Sequence, residues 1–115
     1  MISPFHLTRR AALDLRDIHR RSCQEWGADT GDRYIADLYA AIAKAAKNPD
    51  IGLLRQRRST PFMMIPARKH FVIYDRIPEG IVVLTLLHQV RDIEALIADL
   101  TPAFMQEVNR LRGNL

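Results

Sequence analysis

The sequence predicts an α+β fold: an N-terminal strand and an α-helical hairpin packed on a small antiparallel β-sheet, with short C-terminal helices after it. Three observations carry this. The first half holds two long stretches whose apolar residues recur at three- and four-residue steps, the period of a helix lying on a core. The second half holds short β-branched and aromatic runs divided by turn residues. The chain has 115 residues, 48% of them hydrophobic, enough to build one core without disulfides or a structural metal. Helices gathered in one half and strands in the other is the α+β pattern.

Ile2 to Leu7 reads as a short strand, and Thr8 as the N-cap of a helix from Arg9 to Trp26. The apolar stripe of that helix is Ala11, Ala12, Leu15, Ile18, Ser22 and Trp26; Arg10, Asp14, Asp17, Arg20 and Arg21 fall on its other face. Trp26 is large enough to lock the helices to a sheet, and Gly27 ends the helix as a C-terminal cap. Asp29 or Thr30 can cap a second helix, with Tyr34, Leu38, Ala41, Ile42 and Ala45 as its stripe and Asn48-Pro49 as its stop. So short a connection makes the two helices an antiparallel hairpin. Pro61 to Pro66 has strand length. Lys69 to Ile77 and Ile81 to His88 are strands joined by the Pro78-Glu79-Gly80 turn, the second apolar enough to be buried on both faces. Asp92 to Leu100 and Ala103 to about Arg112 read as short helices, the latter behind a Thr101-Pro102 start. The predicted order is β-α-α-β-β-β-α-α. The hairpin covers one sheet face and leaves the other more open. Residues 1–100 form the expected domain, and 101–115 a C-terminal helical extension of it.

Charge is concentrated in the middle. The chain carries a formal net charge of +4, yet between Arg55 and Arg76 lie Arg55, Arg57, Arg58, Arg68, Lys69 and Arg76 against Asp75 alone. An anionic partner is drawn there first, although charged outer strands also keep sheet edges from aggregating. Cys23 is the only cysteine. That excludes an intramolecular disulfide and a thiolate metal cluster, and points to helix packing. No metal or cofactor is expected. No apolar run reaches the roughly 18 residues of a membrane span, and MISPFHLTRR lacks the apolar core of a signal peptide. The expected location is the cytoplasm, with no membrane partner.

The order of these features resembles the ParE/RelE toxin superfamily of type II toxin–antitoxin systems, and ParE more closely. The first half carries Ala11, Asp14, Leu15 and Ile18 in helix one, then Trp26-Gly27, Tyr34, Leu38, Asn48, Pro49, Ile51 and Gly52. The second half carries Arg68, His70, Ile73 and Tyr74, then Leu87, His88, Asp92 and Leu96. The likeness spans roughly residues 3 to 100. PFMMIP replaces a more polar, glycine-containing approach to the Arg-x-His strand, and the tail beyond Leu100 is longer than the family's usual end. The resemblance implies a cognate antitoxin as partner, whose C-terminal segment folds on the toxin, and an oligomeric toxin–antitoxin complex.

The superfamily divides by target. ParE-like members inhibit DNA gyrase without catalytic residues; RelE-like members cut messenger RNA on the ribosome. Cutting RNA through its 2′-hydroxyl needs a base, an acid and a cation for the phosphorane charge. The candidates for that reading are Arg68, Lys69, Tyr74, His88 and Arg91, with His70 beside them. Strand alternation sets His70, Val72, Tyr74 and Arg76 on one face and Lys69, Phe71, Ile73 and Asp75 on the other. The bland alternative makes Tyr74 a core tyrosine and His88 a structural histidine. The long helical hairpin favours ParE, and with it the gyrase reading and no enzymatic site. Antitoxin or target contacts are then expected at Arg55, Arg57, Arg58, Arg68, Arg76 and Arg91. A third reading is a non-toxic relative whose sole partner is the antitoxin.

Overall fold

A computed structural model describes residues 5–57, 60–89 and 110–111, with backbone alone at 55–57, 60 and 61. Strand β1 (Phe5–Leu7) leads into helix α1 (Arg9–Trp26), which is followed by helix α2 (Ala28–Lys47). A 3₁₀ turn (Pro49–Ile51) then delivers the chain to strands β2 (Leu53–Arg57), β3 (Thr60–Ala67), β4 (His70–Ile77) and β5 (Gly80–His88). The sheet order is β1-β5-β4-β3-β2. The last four strands are a meander of antiparallel pairs, whereas β1 runs parallel to β5, with Phe5 opposite Ile81 and Leu7 opposite Val83. The expected α+β architecture is therefore present, with one parallel pair and one strand more than predicted. The extra strand is β2, at the sheet edge, where Leu53 and Leu54 are exposed. Its sequence, LLRQR, shows no alternation of apolar and polar residues. The predicted helix Asp92–Leu100 and most of Ala103–Arg112 lie outside the described residues; Arg110 and Leu111 are helical.

Gly27 is the whole connection between the helices. At φ 92° it donates its N–H to Cys23 O, ending α1, and it immediately precedes α2. Gly27 thus takes the N-cap position of the second helix, two or three residues before the caps expected at Asp29 or Thr30. Except for Trp26, both stripes pack toward the sheet: Ala11 and Leu15 of α1, with Tyr34, Leu38, Ile42 and Ala45 of α2, meet Met63, Val72, Tyr74, Ile81, Val83 and Leu86.

The opposite face is not open. Phe62, Met64, Ile73, Ile77, Val82, Leu84 and Leu87 form a second buried cluster, with Leu111 packed against it. A strand as uniformly apolar as β5 puts large side chains on both sides, and both must leave water.

The start of α1 repairs an edge of the sheet. β1 pairs with β5 only as far as Val83, and a bulge leaves Leu84 extra between the pairs Tyr74–Val83 and Ile73–Thr85. Beyond that point no strand among the described residues pairs with β5 on this side. Thr8 and Asp14 serve instead. Fully buried Thr8 donates its hydroxyl to Leu84 O (2.7 Å), accepts Ala11 N–H at the helix start, and donates its own N–H to Val83 O. The Asp14 carboxylate accepts the Thr85 hydroxyl and the Leu86 N–H. Asp14, assigned to the solvated face in sequence, therefore staples α1 to β5.

Candidate functional site

Two ends of β4 have different surroundings. At its C-terminal half Tyr74 is fully buried. Its hydroxyl donates to Pro49 O (2.7 Å) and accepts the Gly52 N–H (3.0 Å). A Cβ on Gly52 would stand 2.6 Å from that oxygen, so glycine is required by the close approach. Burial pushes the Tyr74 hydroxyl above its ordinary pKa, with the Gly52 hydrogen bond pulling the other way. It is a structural plug binding the helix-to-sheet turn.

The N-terminal end of β4 opens into a cleft of about 450 Å³ between α1 and the ends of β4 and β5. Trp26, Tyr34, Lys69, His70 and His88 meet there. The register places His70 opposite His88, and the rings contact edge to face at 5.2 Å. The Tyr34 hydroxyl accepts the Lys69 backbone N–H (3.1 Å) and lies 2.7 Å from His70 Nδ1. With the oxygen accepting from Lys69, its own hydrogen is left for Nδ1, which suits a neutral imidazole. His70 is held neutral: burial first, then the neighbouring His88, lower its pKa to about 4.

Lys69 departs from its predicted place. It lies in the two-residue turn before β4, not in the strand, and its ammonium stands 5.5 Å over the Trp26 ring. It thus shares the cleft with His70, against the strand-alternation expectation. The turn needs Arg68 at φ 55°, a conformation non-glycine residues rarely adopt. Gln89 holds it there, donating its side-chain amide to Arg68 O and His70 O and its backbone N–H to Lys69 O.

Trp26 is also not where the sequence put it. It is 46% exposed, 6.4 Å from Tyr34, and forms a cleft wall instead of a lock on the sheet. The last α1 residue lies too far along the helix to reach the core. Charge around the cleft is mixed: Arg10, Arg21 and Lys69 alternate with Asp14, Asp17 and Glu25. A flat aromatic wall ringed by both signs of charge suits a protein segment better than a bare phosphate chain.

Of the predicted basic contact residues, the two whose side chains are described, Arg68 and Arg76, lie apart. Arg68 pairs with Asp37 (2.6 Å) and lies over Tyr34; Arg76, at the other end of β4, pairs with Asp50 (2.7 Å). The side chains of Arg55 and Arg57, and all of Arg58 and Arg91, lie outside the described residues. Of the ribonuclease candidates, Lys69 and His88 meet in the cleft and Arg68 flanks it. Tyr74 is on the same sheet face as His70 but about 13 Å along the strand, committed to Pro49 and Gly52. Trp26, Tyr34 and Gln89 were not singled out for the site in sequence; Tyr34 looked like one more stripe residue, and Gln89 gave no signal.

Comparison with known proteins agrees with this architecture. A model of the family described as "ParE toxin of type II toxin-antitoxin system, parDE" matches residues 5–93. Toxin ParE1 of Caulobacter vibrioides is 31% identical over 88 residues, which cover 76% of this chain and 91% of that protein. Toxin ParE1 of Mycobacterium tuberculosis is 30% identical over 95 residues, covering 82% and 97%. Among solved structures, a chain described as "Chromosomal ParDE TA system from P. aeruginosa" superposes with a TM-score of 0.63 at 15% identity, covering 73% of this chain and 92% of that one; it shares the fold. With its fold, its matched span and two relatives aligned over nearly their whole length, the chain belongs to the ParE toxin family of type II toxin–antitoxin systems.

Proposed function

We propose that this protein arrests growth by inhibiting DNA gyrase, without an enzymatic step of its own, and that a cognate antitoxin neutralises it in a toxin–antitoxin complex in the cytoplasm. The family match across residues 5–93 carries the reading. The geometry supports it in a second way: Tyr74 is occupied as a plug, and the exposed aromatic wall and mixed charge of the cleft suit a protein partner. Trp26, Lys69 and His88 are the described contacts we assign to target or antitoxin. Arg68 and Arg76 add charge, each by exchanging an internal carboxylate for one of the partner, while Arg55, Arg57, Arg58 and Arg91 complete the proposed basic surface. We also read 101–115 as part of the same domain, because Leu111 packs on the second sheet face. No described helix is long and apolar enough to cross a membrane.

The test is expression of the chain alone, then with the neighbouring reading frame. The proposal expects loss of supercoiling and filamentous cells with intact transcripts, relieved by the co-expressed neighbour. Early loss of translation with cleaved transcripts would replace gyrase by the ribosome. Unimpaired growth with stable folded protein would leave only an antitoxin-binding role.

A further inference from the structure

Away from the cleft, three metal-ligand side chains converge where the two helices meet. His19 and Cys23 are one turn apart on α1, so they project from the same face. Asp32 comes from the second turn of α2, across the hairpin closed by Gly27. His19 Nε2 lies 2.7 Å from Asp32 Oδ1. The imidazole nitrogen, the Cys23 sulfur and the carboxylate oxygen all fall within 4.8 Å of one another. None of the three belongs to the apolar core or lines the cleft.

Gly31 makes the convergence possible. A Cβ there would come 2.3 Å from Cys23 Sγ and 2.8 Å from the Cys23 backbone nitrogen. Only the absence of a side chain lets α2 press this close to Cys23 and brings Asp32 beside the thiol. Cys23 forms no disulfide and is half-buried, while His19 and Asp32 are 42% and 67% exposed. A cation therefore has both a soft ligand held in place and an open path from solvent.

We propose that His19, Cys23 and Asp32 form a three-ligand site for a borderline divalent transition metal of the zinc class, clamping α1 to α2. One thiolate, one imidazole and one carboxylate is a donor set that zinc accepts and that calcium and magnesium do not favour. Two ligands four residues apart on one helix is a recurrent way to present them. Around tetrahedral zinc, ligand atoms stand roughly 3.3–3.8 Å apart. The sulfur, within 4.8 Å of both other ligand atoms, needs to close in by no more than about 1.5 Å, and the His19–Asp32 pair opens by roughly 0.7 Å, movements within side-chain adjustment. The metal takes the place of the His19–Asp32 hydrogen bond and displaces the thiol proton, so binding strengthens as pH rises. Three protein ligands on an exposed face leave the fourth position to water or to a donor from a partner. The site is independent of the gyrase reading.

The test uses the untagged full chain, reduced and freed of metal, titrated with cobalt(II) and then zinc. One equivalent of cobalt should give tetrahedral visible bands and a near-ultraviolet thiolate-to-cobalt charge-transfer band, both bleached by one equivalent of zinc. Zinc should raise the melting temperature. Cys23→Ser should abolish the charge-transfer band. His19→Gln and Asp32→Asn, both exposed and close in volume, should keep the helical circular dichroism and weaken zinc binding about 100-fold. Absence of the charge-transfer band at excess cobalt would overturn the proposal. So would zinc affinity unchanged in Asp32→Asn or His19→Gln, or zinc stabilisation persisting in Cys23→Ser.

Discussion

The two ends of β4 carry similar chemistry to opposite purposes. At one end the Tyr74 hydroxyl is sealed between Pro49 and Gly52, with Arg76 and Asp50 paired outside it. At the other, the Tyr34 hydroxyl joins Lys69 and His70 on the wall of an open cleft beside an exposed tryptophan. One tyrosine closes the fold, and the other orders a surface. The difference is steric: the 3₁₀ turn after α2 lies directly on Tyr74, whereas α1 ends at Trp26 and, among the described residues, leaves the strand ends facing the cleft. Substitutions at the closed end should therefore cost stability, and those at the open end should cost interaction.

The largest effect is expected at Gly52. Gly52→Ala drives a methyl into the Tyr74 hydroxyl and against Ile65 and should destabilise by about 2–3 kcal/mol, read by urea unfolding. Tyr74→Phe strands the half-buried Pro49 carbonyl and Gly52 N–H and should cost about 1–2 kcal/mol. The double variant should cost about 1 kcal/mol less than the sum, because the phenylalanine removes the nearest clashing atom. Strict additivity would mean that the tyrosine does not brace the turn.

The ends should also fail at opposite extremes of pH. The folded-state pKa of His70 lies below its ordinary 6.5 at about 4. Protonation favours the unfolded chain, so stability is present above about 6.5 and is lost as pH falls towards 4. Tyr74 is shifted upwards, so its contribution is present below the ordinary tyrosine value of about 10 and is lost as pH rises past it. Denaturant midpoints against pH should show both limbs. His70→Asn should flatten the acid one and leave the alkaline one; an unchanged acid limb would show that His70 does not control it.

The smallest stability effects are expected on the cleft rim. Trp26→Ala and Arg68→Gln should each change stability by less than about 1 kcal/mol, the tryptophan being half exposed and the Arg68–Asp37 pair a solvated surface bridge. Both should weaken growth arrest or antitoxin binding, measured by calorimetry at matched folded concentration. Loss of several kcal/mol of stability in Trp26→Ala would restore the tryptophan to the core.

Much of the fold was legible because it is written in period. The stripes of α1 and α2, the Thr8 cap, the Gly27 stop and the apolar β5 each follow from local rules. What escaped depends on contacts distant in sequence. Strand β2 is an edge with exposed leucines and no alternation. The Arg68-Lys69 turn has no glycine or asparagine to announce it; Gln89 and Tyr34 impose it from elsewhere. Asp14 reads as a surface carboxylate until a bulge and a short β1 expose the β5 backbone to it. The candidate site was half legible: Lys69, His70 and His88 were named, but Trp26 was assigned to the core. A tryptophan's size suggests burial, and only the place where the helix ends shows that it cannot reach. Of the basic residues crowded in sequence, β4 sets Arg68 and Arg76 at its opposite ends.

The central claim is a toxin that acts on gyrase by contact, with the cleft as its described surface. Purified full-length protein added to a DNA gyrase supercoiling reaction tests it most directly, with Trp26→Ala and the neighbouring antitoxin as companions. The wild-type chain should inhibit supercoiling, the antitoxin should relieve the inhibition, and Trp26→Ala should inhibit more weakly. Unimpeded supercoiling by a folded chain that cuts ribosome-bound messenger RNA would contradict the claim.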